Sequence, residues 1–139
     1  MLNPIVRSQR APVGLHELNE EHKLIRSGYA ELDEAIFHGV SSPIIIDISS
    51  KLTVLMLQHC CHEEEFLAEM AAVCSEESRI ELRRNRVRLL ALKEELRQGD
   101  VYAALHLRAV CRQWLNEHLQ VEDIELSPTL SQGGTRRAI

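Results

Sequence analysis

The sequence predicts an all-α protein: an up-down-up-down antiparallel four-helix bundle with an N-terminal arm and a loose C-terminal tail. Three observations lead there. Apolar residues recur at alternating three- and four-residue intervals along four separate stretches, the seam of a helix packed in a bundle. Cap and turn residues separate those stretches by roughly two to six positions, the connection length of neighbouring bundle helices. No stretch carries the two-residue alternation of a half-buried strand. Composition agrees, since hydrophobic residues make up 45% of the chain but aromatic residues only 4%. The abundant Leu, Ala, Glu and Arg are strong helix formers. At 139 residues the chain suits one domain with one core.

Residues 1–13 hold two prolines and no periodicity and read as the arm. The bundle is expected over 14–126 and the tail over 127–139. The first seam is Leu15, Leu18, His22, Ile25, Tyr29, Leu32 and Ile36, with Glu17, Glu20 and Glu21 among the residues assigned to the outer side. His38-Gly39 is its stop, and SSP at 41–43 is an N-cap followed by proline in the first turn. The second seam runs Ile45, Ile48, Leu52, Leu55, His59, then His62 or Glu63, then Phe66 and Met70. Ser75 is placed to cap a third helix with seam Ser78, Leu82, Asn85, Leu89, Leu92 and Leu96. Gln98-Gly99-Asp100 ends it, and Asp100 can cap the fourth, whose seam is Leu107, Cys111, Trp114, His118 and Val121.

A net charge of −5 weighs against a nucleic-acid partner. The N-terminus has no apolar run of signal-peptide length. No stretch approaches about 20 continuous apolar residues, so no membrane partner is expected and a cytoplasmic location is the default. There Cys60, Cys61, Cys74 and Cys111 are expected to be reduced thiols.

Three seams carry a histidine where an apolar residue would stand: His22, His59 and His118. Buried imidazoles that lack partners cost about 1–3 kcal/mol each, and a metal ion is the partner three of them could share. The stretch HCCHEEEF at 59–66 sharpens this. A helix turns about 100° per residue, so Glu63 shares the face of His59 and His62 flanks both. Cys60 and Cys61 are rotated away, and adjacent thiols lack the two-to-four-residue separation of a zinc finger. They read as packing or surface thiols, with Glu64 and Glu65 as a solvated face. A mixed nitrogen and oxygen donor set suits iron, manganese or zinc.

These residues resemble the hemerythrin family, in particular its bacterial single-domain members. LNEEHKLI (18–25) is similar to the first-helix ligand segment, HCCHEEEFL (59–67) to the second-helix His-x3-Glu segment, and WLNEHLQVEDIEL (114–126) to the last-helix segment. The resemblance implies His22, His59 and His118 as ligands, Glu63 and Asp123 as bridging carboxylates, and non-haem iron as cofactor. His118 and Asp123, five positions apart, reach one centre only if the helix ends there or loosens into a π-type turn.

The third-helix His-x3-His pair of that family is absent here, with Ser78 and Leu82 at the corresponding positions. The reduced set favours one ion held by His22, His59, Glu63, His118 and Asp123. Two ions with His62, Cys74 or Glu81 and water as substitutes, or a metal-free bundle, are the other outcomes. The expected role is oxygen or redox sensing, with O2 or another small diatomic as ligand and a protein as partner, rather than ordinary O2 carriage. The alternative is a metal-free interaction or regulatory module. With no nucleophile–base pair or phosphate loop, no catalytic residue is assigned and no enzyme activity is expected. RIELRRNRVR at 79–88 reads as a solvated face paired with the acidic second helix, or else as a docking surface. His16, His38 and His106 read as surface residues, Trp114 as a core anchor, and Cys74 and Cys111 as packing thiols.

Overall fold

The computed structural model describes residues 14–69 and 76–116. They form four helices, α1 (Leu15–Phe37), α2 (Ser42–Glu69), α3 (Glu76–Arg97) and α4 (Tyr102–Trp114), and no strand occurs among the described residues. Consecutive helices pack together, α4 returns to α1, and α2 touches all three others. His118, Asp123, Met70, Cys74, Ser75, the arm and the tail lie outside the described residues.

Local chemistry sets the boundaries. Gly14 N–H donates to Glu17 Oε1 at 3.0 Å. Backbone N–H groups, that of Glu17 itself first and Gly14 next, hold the Glu17 carboxyl below its ordinary pKa. At the other end Gly39 takes φ +64°. Its N–H bonds the Ile36 carbonyl, and the Val40 N–H reaches back to Ala35, a Schellman termination that needs a residue free of a Cβ. α3 ends the same way at Gly99 (φ +87°), with the Asp100 N–H on the Glu95 carbonyl. Asp100 then accepts the Tyr102 N–H at 3.0 Å on its side chain, the capping role its position predicts. Ser41 opens α2 by accepting N–H bonds from Ile44 and Ile45, and Pro43 sits in the first turn, where its missing N–H leaves no gap in the ladder.

The core is built from Leu18, Ile25 and Leu32 of α1, Leu52 and Met56 of α2, Leu82, Leu89, Leu92 and Leu96 of α3, and Leu107 and Cys111 of α4. On α2 the expected seam needs correction. The buried positions are Ile45, Ser49, Leu52, Thr53, Met56, His59, Cys60 and Glu63, whereas Ile48, Leu55 and Phe66 are half-buried. A helix with neighbours on three sides buries a broad arc, so small polar residues enter it where helices come close. Thr53 Oγ1 donates to the Ser49 carbonyl at 2.8 Å and needs no partner elsewhere. By length and composition α2 could also cross a bilayer, with a window of mean hydropathy 1.3. A core helix packed on three faces carries the same composition.

At Gly28 of α1 a Cβ would lie 3.0 Å from Leu52 Cδ1 of α2. α1 and α4 are tied at the surface by Arg108 to Asp33 at 3.2 Å and by Arg112 Nε donating to Tyr29 Oη at 2.8 Å.

Of the three described cysteines, Cys60 and Cys111 are core residues. Burial pushes the Cys111 thiol up to about 12. Burial, then the Glu63 carboxylate, does the same to Cys60. Cys61 is exposed. Because folding raises both buried thiols above the ordinary value of about 9, the folded state retains their protons longer. Their contribution to stability is full below about pH 9 and is lost as pH rises toward 12. Iodoacetamide at pH 8 is expected to leave Cys60 and Cys111 unmodified in the folded chain and to alkylate both in urea, read by peptide mass spectrometry.

Candidate metal centre

α1 and α2 bring two histidines together inside the protein. His22 and His59 are each 1% exposed, and their Nε2 atoms lie 3.1 Å apart. The rings meet edge to face with centroids 4.6 Å apart. Trp114 of α4 stands edge-on to both, 5.9 Å from His22 and 5.3 Å from His59. The predicted core anchor is therefore a half-buried wall of the histidine pair.

Carboxylates surround the pair. Glu63, one turn beyond His59, is buried, with Oε1 3.4 Å from His59 Nε2. On the far side of the ring His59 Nδ1–H donates to Glu21 Oε1 at 2.8 Å. This bond fixes the tautomer, leaving His59 Nε2 with its lone pair turned toward His22. The second oxygen of Glu21 accepts from His62 Nδ1. His62, the candidate extra ligand, thus joins the cluster through Glu21 and stays 30% exposed.

Glu21 was not legible as a site residue. The seam assigns it with Glu17 and Glu20 to the solvated side of α1. In the structure it is 22% exposed and spans two histidines of α2. Its one sequence signal is adjacency to His22, which turns it about 100° from that residue and onto the flank facing α2. Glu64 also departs from the solvated reading. It is half-buried and accepts from Arg86 Nε at 3.0 Å, the pairing of basic third helix with acidic second helix expected of the arginine run.

Two imidazole nitrogens 3.1 Å apart can share a proton if one ring donates. They can equally share a small cation, since 3.1 Å is less than twice the usual nitrogen–metal distance of about 2.1 Å. The donor set fits such an ion: two Nε2 atoms from separate helices, a buried carboxylate beside them, and a second carboxylate orienting one ring from behind, as outer partners of metal-bound histidines do. Among the described residues no group of three or more His, Cys, Asp or Glu side chains is arranged to hold a metal ion, and His118 and Asp123 lie outside them. α4 passes into a π-type turn at residues 115–116, just before His118. On α3, Ser78 is exposed and Leu82 is buried in the core.

No protein-family model, no curated protein and no solved structure matches the chain.

Proposed function

We propose that this chain is a hemerythrin-like metal-binding protein: an up-down-up-down antiparallel bundle holding one non-haem iron ion at an incomplete site and serving oxygen or redox sensing. One observation carries the reading. Two buried histidines from different helices face each other through Nε2 at 3.1 Å, with carboxylates on either side. The helix pairings support the bundle arrangement. Going backward along α1 from Gly28 to His22 matches going forward along α2 from Leu52 to His59. α1 likewise runs from Tyr29 to Asp33 as α4 runs back from Arg112 to Arg108.

In this reading His22, His59 and Glu63 hold the ion together with His118 and Asp123. Iron there would supply a redox-active centre with room for a small diatomic ligand. The protein's own part is to orient and shield. Glu21 fixes the His59 tautomer, and Trp114 keeps the rings from water. A buried leucine at position 82 puts apolar bulk where a third-helix ligand would stand, which favours one ion over two. The same leucine favours the second reading, a metal-free scaffold in which Glu21 and Glu63 flank the His59 ring.

The two readings separate on metal content. Full-length protein loaded anaerobically with Fe(II) should retain about one ion per chain, with near-ultraviolet bands developing in air. Retention below about a tenth of an ion, with no added thermal stability, would leave the scaffold. Glu21→Gln should weaken retention about 10–100-fold without abolishing it, the usual cost of losing a partner behind a ligand. Competition with a chelator measures it, and unchanged affinity would remove Glu21 from the site.

A further inference from the structure

We propose that the cleft between the C-terminal end of α2 and the N-terminal half of α3 binds a small amphiphilic anion, an oxyanion head on a short apolar body. The cleft measures about 380 Å³, within the range of roughly 300–1,000 Å³ typical of small-molecule sites. Leu67 and Ala68 of α2 and Leu82 of α3 supply its apolar surface. Arg79, Arg83 and Arg86 supply its charge, at intervals of four and three residues that place them on one face of α3.

Stacked like charges weaken a helix, so three guanidinium groups on one face serve stability poorly. Two are partly answered: Arg86 by Glu64 at 3.0 Å and Arg79 by Glu76 at 3.6 Å. Arg83 has no ion-pair partner among the described residues. Among the described residues the three arginines of the cleft face Glu64 in its lining and Glu76 beside it, a local charge of 3 − 2 = +1 on a chain of net charge −5. A guanidinium fork matches a carboxylate or phosphate head in geometry as well as sign, and the three apolar residues receive the body. Leu82, at a position where the family resemblance anticipates a ligand, gains a purpose as part of that surface.

Octanoate is the probe, added to the isotopically labelled full chain and followed by amide chemical shifts. Saturable binding is expected, with the largest shifts at Ala68, Leu82 and Arg83. Octylamine, with the same body and the opposite head, should not bind, and inorganic phosphate should bind at least about tenfold more weakly. Arg83→Glu should weaken octanoate by about tenfold or more, and Arg83→Ala by less in the same direction. The proposal is overturned by octanoate failing to saturate below about 10 mM, or by shifts centred elsewhere. It is equally overturned by octylamine or phosphate binding as tightly as octanoate, or by unchanged affinity in both Arg83 variants.

Discussion

If the histidine pair holds iron as proposed, Fe(II) should raise the melting temperature of the wild-type chain and His59→Ala should abolish that rise. At 1% exposure His59 is the hub of the cluster, with His22 and Glu63 at its Nε2 side and Glu21 at Nδ1. Removing it takes away one nitrogen of the proposed donor set and the anchor of three buried or half-buried neighbours. A ligand at about a hundred times its dissociation constant adds about 2.7 kcal/mol to stability, and that increment should vanish in the variant. The metal-free chain should also lose stability, because a buried polar group deprived of its partner costs about 1–3 kcal/mol. Paired melts with and without Fe(II) separate the two effects. An equal iron-dependent rise in wild type and variant would remove His59 from the metal set. A stability loss with no iron-dependent rise in the wild type would favour the scaffold.

Leu107→Ala should lower stability by about 2–5 kcal/mol, the range for a fully buried leucine truncated in a core that cannot collapse onto the space. Leu107 is 0% exposed on α4, at 13 described residues the shortest helix. With little length to spare, α4 depends on its few buried side chains to stay against α1, α2 and α3. Against a typical total of about 5–15 kcal/mol, the urea midpoint should drop sharply with little change in slope. Leu105→Ala, at 41% exposure, is the control and should stay within about 0.5 kcal/mol. Equal effects at the two positions would mean that α4 is not packed as described.

Much of the helical layout could be read from the chain because its signals are local. The α1 and α3 terminations follow from Gly39 and Gly99, and the start of α4 from Asp100. On α1 and α3 the apolar spacing finds the buried stripe of Leu18, Ile25 and Leu32 and of Leu82, Leu89, Leu92 and Leu96, while the seam members Tyr29, Ile36 and Asn85 are half-buried and Ser78 is exposed. α2 was harder. Ranking Ile48 and Leu55 above Ser49 and Met56 is sound for a two-neighbour helix and fails for one that touches three. The site was half legible for the same reason. His22, His59 and Glu63 stand on the seams, so periodicity finds them. Glu21 stands beside its seam, and only the approach of α2 turns that flank inward. The cleft needed tertiary structure too, because Leu67 and Ala68 meet Leu82 and the arginines only once α2 and α3 pack.

Gly28 lies six residues from His22, and Leu52 seven from His59, so their contact sits nearly two turns from the imidazoles. With hydrogen as its side chain, residue 28 leaves room for Leu52 Cδ1, which would lie only 3.0 Å from a Cβ there. A Cβ there would press on that methyl and require Leu52 to give by a few tenths of an ångström, without touching either ring. In the proposed metal centre, a residue outside the donor set thus contributes to the spacing of the two helices that carry the donors.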